Sequence, residues 1–283
     1  MQKIAWVTDS TTFLDRELLQ HPDVYSIPIS IFFETEEYLD GITITQQEFY
    51  EKLKTTSIIP KTSQPSIGKF VELYQELSIK YDLIFSIHIS SDLSGTVSTA
   101  NQAAKLVDIP VEVIDSRLIS SPISVLIKKG ITASLLDPLV SSIKSTILDL
   151  TKCNETYVLV GNLEQLHRSG RMSSTQYVIG SMMKIKPIIV LKDGRLKIVE
   201  KVRSEKKATN KVIDFFKEAY SINYIKEVHL LYGLNDDKAK KWRILIEEFS
   251  DDVIVKLFPL GAAIGVHAGE ETVGISWFNE GSK

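Results

Sequence analysis

Short apolar stretches alternate with amphipathic helical patterns through the first half of the chain. Strands are predicted in "KIAWVTDS", "DLIFSIHIS" and "VEVIDS", and helices in "TFLDRELL", "SIGKFVELYQELSIK" and "TVSTANQAAKLV". Apolar strands separated by amphipathic helices are typical of a parallel sheet that is covered on both faces. The pattern therefore predicts an N-terminal α/β domain built on a parallel sheet.

The second half of the chain follows a predicted helix over residues 133–150 and has a different pattern. The segment "PIIVLKDGRLKIVEKV" indicates a hairpin, because Asp193-Gly194 suits the positive φ angles of a tight turn. Further helices and strands follow, with a glycine-rich loop before the last strand. We predict two domains, 1–155 and 156–283, the second an α/β domain whose sheet is largely antiparallel or mixed.

Composition narrows the class of protein. The 283 residues are 43% hydrophobic and 24% charged, which is typical of a globular protein with enough apolar residues for one or two cores. A net charge of −3 without any basic block argues against nucleic-acid binding. The single cysteine, Cys153, allows no internal disulfide, and the longest uncharged stretch, "LFPLGAAIGVHAG", is shorter than the about 20 residues of a membrane helix. We expect a cytoplasmic protein.

Several well-known catalytic patterns are missing from the sequence. The chain has no Gly-x-Ser-x-Gly elbow, no Gly-x-Gly-x-x-Gly loop and no glycine loop that ends in Gly-Lys-Ser/Thr. The histidines are scattered, and no cluster has the spacing of metal ligands. We therefore expect no metal and no cofactor.

Three polar corners lie where predicted strands end or helices begin, which is where open α/β sheets bind ligands. These corners contain Asp9, Ser10 and Thr11; Thr62, Ser63 and Pro65; and Ser94, Gly95 and Thr96. Ser94 is expected to cap a helix that starts at about Gly95, where a ligand can approach the unpaired N–H groups. Such a corner binds a carboxylate or phosphate without a positive charge. Simple helix capping explains the same residues equally well.

A second set of candidate residues lies in the second half of the chain. Glycines surround His267, whose neutral imidazole can donate to a carboxylate or act as a structural hydrogen-bonding group. Arg171 and Arg203 are either solvated surface residues or contacts to a phosphate or partner. Met182 and Met183 either fill a core or form an adaptable wall of a hydrophobic slot.

Taken in order, these motifs resemble those of the DegV family of bacterial fatty-acid-binding proteins, the FakB-like lipid carriers. The likeness runs almost from end to end. It is carried by "VTDSTTFL", "FETEEYLDGITITQQEFYEKL", "TSQPS", "SSDLSGT", the "DS" at 115 and 116, "LEQLHRSGRMS", "KPI" and "GAAIGVHAG".

The resemblance implies a two-domain carrier that encloses one long-chain fatty acid between its domains. Thr62, Ser94 and His267 match the family positions that hold the carboxylate. The residues expected beside them are Ser63, Gly95 and Thr96. The implied partners are a separate fatty acid kinase, which makes acyl-phosphate, and a membrane in transient contact; the carrier itself is not the phosphotransferase.

Arg171 and Arg203 match arginine positions of the family at which a phosphoryl group, the kinase or an acyl acceptor is contacted. The chain also departs from the family pattern at Glu270-Glu271, where Pro-Gly is usual, and at Ser169, where a glycine is usual. Val97 stands where an aromatic residue is common, and "SSPISVL" is poorer in glycine than the family pattern. These departures concern acyl-chain preference and partner contacts.

The residues alone leave two other hypotheses open. Ser94 and His267, with Asp9 or Asp115, have the residue types of a catalytic triad, so an esterase or acyltransferase is the alternative function. A scaffold without any ligand is the third hypothesis. A carrier retains fatty acid without turning over an ester, whereas the alternative enzyme loses turnover in Ser94→Ala.

Overall fold

The structure is a computed structural model that describes residues 2–173 and 185–281. Met182 and Met183, interpreted above as a core or a slot wall, lie outside the described residues. Within the described residues, no helix has the length and apolar composition needed to cross a membrane.

The chain folds into two compact units. Unit 1 comprises Met1–Lys152 together with Gly261–Ala263, and unit 2 comprises Cys153–Leu260 and Ile264–Lys283. The predicted domains, 1–155 and 156–283, have their boundary at residue 155, and residues 261–263 belong to the second of them. Contacts between segments far apart in sequence, which a hydrophobic pattern does not reveal, group residues 261–263 with unit 1.

Two sheets form the framework of unit 1. The parallel sheet has the order β2-β1-β6-β7 and comprises β1 (Ile4–Asp9), β2 (Val24–Ile27), β6 (Leu83–His88) and β7 (Val111–Asp115). The antiparallel sheet has the order β4-β3-β5 and comprises β3 (Ser30–Phe33), β4 (Glu36–Leu39) and β5 (Lys61–Ser63). The predicted parallel sheet is confirmed.

Six helices belong to unit 1. They are α1 (Arg16–Leu19), α2 (Gln46–Thr55), α3 (Ile67–Ser78), α4 (Thr96–Ala104), α5 (Ser121–Leu136) and α6 (Val140–Lys152). The single helix predicted over 133–150 is wrong, because α5 ends and α6 begins within that range. Asp137 has an extended backbone, and the following Pro138 disfavours a helical conformation at the residue before it and has no N–H to donate.

The core of unit 1 lies on both faces of the parallel sheet. Every residue of β6 is buried, and so is every residue of β1 after Ile4. Phe70 and Tyr74 of α3 pack in the same cluster as Ala5 and Val7 of β1. Apolar residues on both sides of each strand thus bury the central strands completely, as a parallel sheet requires.

Unit 2 is built on one mixed sheet in the order β10-β9-β8-β13-β11-β12. Its strands are β8 (Asn154–Leu159), β9 (Lys186–Lys192), β10 (Arg195–Val202), β11 (Glu227–Tyr232), β12 (Ile254–Pro259) and β13 (Val273–Phe278). Only β11 and β12 pair in parallel among these strands, so the predicted mixed sheet is confirmed. The β9–β10 hairpin is also confirmed, with positive φ at Asp193 and Gly194.

Four described helices accompany this sheet. They are α7 (Leu163–Arg168), α8 (Glu205–Ile222), α9 (Asp237–Glu247) and α10 (Ala262–Ala268), of which α10 begins with residues assigned to unit 1. The prediction of a glycine-rich loop over this last segment is wrong where α10 forms. The residues between its glycines include alanines, Ile264 and Val266, which are buried, and burial outweighs the low helix propensity of Gly265.

Two glycines on helices of unit 1 provide a matched test of this packing. A Cβ atom at Gly130 of α5 would lie 2.5 Å from Cζ3 of Trp6, which is buried and stacked on Phe85. A Cβ atom at Gly68 of α3 would meet nothing nearer than 3.8 Å. We expect Gly130→Ala to lower the free energy of unfolding by about 1–3 kcal/mol, and Gly68→Ala to raise it by up to about 1 kcal/mol.

Urea unfolding of the two variants and the parent protein measures both effects. Because the substitution is the same chemical change on two helices, helix propensity alone would stabilise both variants. A Gly130→Ala protein as stable as the parent would contradict this account of the Trp6 contact.

Candidate functional site

Polar side chains follow the strands at the carboxyl edge of the parallel sheet in unit 1. Asp9 ends β1, His88 ends β6 and Asp115 ends β7. Ligands of open α/β sheets bind beyond this edge. The loops that leave these strands therefore form the candidate site of unit 1.

The loop after β6 carries Ser94 and Thr96. The Oγ atom of Ser94 lies 2.8 Å from Oγ1 of Thr96, Ser94 is half-buried and Thr96 is fully buried. The prediction that Ser94 caps α4 is wrong, because the N-cap is Gly95. The first hydrogen bond of the helix runs from the Thr99 N–H to the Gly95 carbonyl, so Ser94 lies one residue outside it.

Thr62 and Ser63 lie in β5 rather than at the start of a helix. Their strand pairs with β3, and α3 begins only at Ile67. Ser66 caps that helix, since its Oγ accepts from the Lys69 N–H at 3.2 Å. A local sequence pattern does not predict this arrangement, because β5 is stabilised by pairing with a distant strand. Thr62 is half-buried and Ser63 is exposed.

The two corners meet at Gln64, which the sequence analysis did not single out. A Cβ atom at Gly95 would lie 3.0 Å from Nε2 and 3.4 Å from Oε1 of Gln64. The amide of Gln64 therefore packs closely on the backbone of Gly95, and the segments "TSQPS" and "LSGT" are neighbours in unit 1. The position of Gln64 inside the "TSQPS" motif was the signal that could have identified it.

Asp9 is buried at the centre of the carboxyl edge. Its Oδ2 accepts from Nδ1 of His88 at 3.0 Å and from the Ile89 N–H at 3.1 Å, and its Oδ1 accepts from the Thr11 hydroxyl and N–H. Burial acts to raise the pKa of Asp9, but the hydrogen bonds and charge of His88, with Thr11 and Ile89, outweigh burial and lower the pKa. Asp9 is thus an ionised carboxylate inside the fold.

The hypothetical triad acids of the alternative enzyme have other partners. Asp9 is bound as described, and Asp115 accepts from the Ser91 hydroxyl at 2.5 Å and from the Ser91 N–H at 3.1 Å. The Ser94 hydroxyl is bonded to Thr96. A hydrolase triad needs an acid that accepts from the ring of its own catalytic histidine, whereas both carboxylates already accept from other groups of unit 1.

A second buried carboxylate, Asp40, follows β4. Its Oδ2 accepts from the Ser10 hydroxyl at 2.9 Å, and its carboxyl also accepts from the backbone N–H groups of Ala262 and Ala263. Burial is the largest effect and raises its pKa to about 6, although these three hydrogen bonds act in the opposite direction. Asp40 thus connects two segments of unit 1 that are distant in sequence.

His267 and Arg171 form the candidate group of unit 2. His267 lies in the last turn of α10, where burial and, second, the charge of Arg171 lower its pKa to about 3. The imidazole is therefore neutral at neutral pH. The guanidinium of Arg171 is half-buried, which lowers its pKa, and donates to the Ser169 carbonyl.

The start of α7 packs against the end of α10, which accounts for the proximity of these two side chains. The Asn162 N–H donates to the Ala268 carbonyl at 3.0 Å, and α7 then leads directly to the turn that carries Arg171. Arg203 is exposed, between β10 and the N-cap of α8. Nothing in the described contacts groups Arg203 with His267.

The unusual Glu271 has a structural partner in unit 2. Its Oε2 lies 2.8 Å from Nζ of Lys238, and Glu205 lies 3.4 Å from the same nitrogen. These three side chains border a cavity of about 340 Å³ whose apolar lining includes Trp242 and Val273. The departure from the family pattern at this position thus provides an ion pair.

The fold and its donor groups define a two-unit α/β protein whose polar corners offer uncharged hydrogen-bond donors. The model of the DegV family matches residues 3–280, so the chain belongs to the DegV family. The resemblance drawn from the motifs is confirmed. The chain is 35% identical over 281 residues to Protein DegV of Bacillus subtilis, with 97% of this chain and 98% of that one covered.

Solved structures have the same fold. The crystal structure of DegV, a fatty acid binding protein from Bacillus subtilis, matches with a TM-score of 0.89 and 31% identity, covering 99% of this chain and 100% of that one. The Streptococcus pneumoniae Fatty Acid Kinase (Fak) B3 protein, loaded with linoleic acid, matches with a TM-score of 0.84 and 18% identity, covering 98% and 100%. At that identity the second match establishes the fold alone.

The raised pKa of Asp40 predicts a pH dependence of stability. A carboxyl whose pKa is higher in the folded state binds protons more tightly there, so its contribution to stability is greatest below about pH 4 and falls as the pH rises to about 6. Asp40→Asn removes this titration. A tenfold change in proton affinity is worth about 1.4 kcal/mol. The free energy of unfolding of Asp40→Asn, minus that of the parent, should therefore increase by on the order of 2–3 kcal/mol between pH 4 and pH 8.

The free energies of unfolding of both proteins, measured by urea at several pH values, test this expectation. The comparison isolates Asp40 because every other titrating group is common to the two proteins. If the free energies of unfolding of the two proteins depended on pH in the same way, the raised pKa of Asp40 would be contradicted.

Proposed function

We propose that this protein is a carrier of one long-chain fatty acid whose carboxylate accepts hydrogen bonds from uncharged side chains. The donors are the hydroxyls of Thr62 and Ser94 and the imidazole of His267. The residues beside the carboxylate are Ser63, Gly95 and Thr96. Support comes from the family resemblance and from Bacillus subtilis DegV, which is described as a fatty acid binding protein.

The hydroxyl pair of unit 1 is the observation that carries the proposal. The bond between Ser94 and Thr96 uses the proton of one hydroxyl, and the proton of the other is free to point at a ligand. The neighbouring Gln64 amide adds further donors close to Gly95. A carboxylate taken out of water needs several such donors to remain ionised.

The neutral state of His267 fits the same role. Its pKa of about 3 means that the ring is uncharged at neutral pH and donates through one nitrogen only. Binding therefore requires no proton uptake by this histidine. A neutral donor also holds the carboxylate without the ion pair that would oppose its release.

The acyl chain supplies most of the affinity in this proposal. Burying about a dozen methylenes at about 0.8 kcal/mol each contributes on the order of 10 kcal/mol. Association costs on the order of 4–15 kcal/mol. Hydrogen bonds at the carboxylate then offset its loss of water and determine that an acid, rather than an ester or alcohol, is bound.

The bound acid is presented to a separate fatty acid kinase that forms acyl-phosphate, as the family resemblance implies. In this proposal Arg171 and Arg203 contact the phosphoryl group or the kinase. A guanidinium suits both roles, because it remains charged and offers paired donors to phosphate oxygens. The exposed position of Arg203 and the partial burial of Arg171 favour Arg203 for the partner and Arg171 for the phosphoryl group.

Ligand extraction and affinity measurements test the proposal. Mass spectrometry of the purified protein should detect a co-purifying long-chain fatty acid in about equimolar amount. Thr62→Val, Ser94→Ala and His267→Gln should each weaken palmitate binding by about tenfold or more, since a hydrogen bond to a charged group is worth roughly 1.5–3 kcal/mol. Displacement of a fluorescent fatty acid measures these affinities.

Ser98→Ala is the matched control, because Ser98 is exposed on the same helix that follows Ser94. It should bind palmitate as the parent does. A parent protein that neither retains nor takes up fatty acid would refute the carrier. Ester turnover that disappears in Ser94→Ala would favour the esterase or acyltransferase instead.

A further inference from the structure

Four side chains of unit 1 form a buried chain of hydrogen bonds that the proposed ligand contacts do not use. Oη of Tyr74 lies 2.7 Å from Oγ of Ser86, and that Oγ lies 2.6 Å from Nε2 of His88. Nδ1 of His88 lies 3.0 Å from Oδ2 of Asp9. All four residues are 0% exposed, so each polar group depends on partners inside the fold.

The direction of donation is determined at the Asp9 end of this chain. An ionised Asp9 can only accept, so Nδ1 of His88 carries a hydrogen and donates to it. Nε2 of His88 and the hydroxyls of Ser86 and Tyr74 continue the chain, so each of these polar groups has a partner inside the fold. The two ends of the chain are Tyr74 and Asp9.

Asp9, His88 and Ser86 are hydrogen-bonded in the same order as the Asp, His and Ser of a hydrolase triad. The serine of this chain, however, is not accessible to a substrate. A nucleophilic serine must face its substrate. Ser86 lies within β6, and its oxygen is held between His88 and Tyr74 with no exposed surface. A catalytic role is therefore excluded by burial, and a role in positioning other groups remains.

Asp9 is connected to the ligand hydroxyls through the backbone. The same Oδ2 that accepts from His88 accepts from the Ile89 N–H at 3.1 Å. The residue after Ile89 is Ser90, and its carbonyl accepts from the Ser94 N–H at 3.0 Å. Two hydrogen bonds and one peptide step thus join Asp9 to the residue whose hydroxyl is bonded to Thr96.

We propose that Asp9 and His88 are positioning residues of the carboxylate site. Asp9 holds the backbone that leads to Ser94, and His88 keeps Oδ2 of Asp9 turned toward the Ile89 N–H. Neither side chain touches the ligand. This inference rests on the proposed function, because it concerns the hydroxyls that bind the fatty-acid carboxylate.

Two substitutions of His88 separate the two hydrogen bonds of its ring. The amide nitrogen of His88→Asn replaces Nδ1 and keeps a donor for Asp9, whereas the amide group of His88→Gln replaces Nε2 and keeps the contact with Ser86. The probes are palmitate and methyl palmitate, which have the same chain and differ in the carboxylate. Their affinities are measured by displacement of a fluorescent fatty acid from the folded protein.

We expect His88→Gln to weaken palmitate binding about tenfold and to leave methyl palmitate unchanged, while His88→Asn retains more of the preference for the acid. A general loss of structure would lower both affinities together. If His88→Gln fails to fold, Asp9→Asn is the second variant, and we expect it to lose as much palmitate affinity. Tyr74→Phe is the control, because it removes only the far end of the buried chain.

A His88→Gln protein that keeps the full preference for palmitate, or that matches Tyr74→Phe, would overturn the inference while the carrier proposal stands. If the parent protein binds palmitate no better than its methyl ester, the proposed carboxylate site is refuted, and the inference about Asp9 and His88 is refuted with it. The two failures are therefore distinguishable.

Discussion

A carboxylate that leaves water must receive hydrogen bonds to remain ionised, and this constraint governs the carboxyl edge of unit 1. Asp9 is surrounded by donors that include His88, and its pKa falls despite complete burial. Asp40 receives the Ser10 hydroxyl and two backbone N–H groups, yet burial raises its pKa to about 6. The difference lies in the surroundings, because the hydrogen bond and charge of His88 lower the pKa of Asp9, whereas the charge of Asp9 adds to burial in raising the pKa of Asp40. The carboxylate of the proposed fatty acid faces the same requirement.

A carboxylate that is bound by uncharged donors is released more readily than one that is paired with a cation. An arginine pairs strongly with a carboxylate and would favour retention of the ligand. In the proposed carrier, hydroxyls and the neutral imidazole of His267 orient the carboxylate without that strength. The acyl chain would then determine the affinity, and the head group the selectivity. The positive charge of Arg171 contributes to the low pKa of His267 and so helps to keep that donor neutral.

The sequence predicted the features of the fold that are local. Alternating apolar strands and amphipathic helices indicated the parallel sheet, Asp193-Gly194 indicated a hairpin, and the order of short motifs indicated the DegV family. Features that depend on distant segments were missed. Thr62 lies in a strand because it pairs with β3, and the contact of His88 with Asp9 depends on the neighbouring strand that ends in Asp9. A local pattern contains neither of these contacts.

In the proposed carrier, the fatty acid is bound as an ionised carboxylate that accepts hydrogen bonds from uncharged donors. Carbon-13 NMR of palmitate labelled at its carboxyl carbon, bound to this protein at about pH 7, tests the claim most directly. The account predicts one resonance in the range of ionised carboxylates, distinct from free palmitate and shifted further in Ser94→Ala. A resonance in the range of protonated acids, or one identical to that of free palmitate, would contradict it.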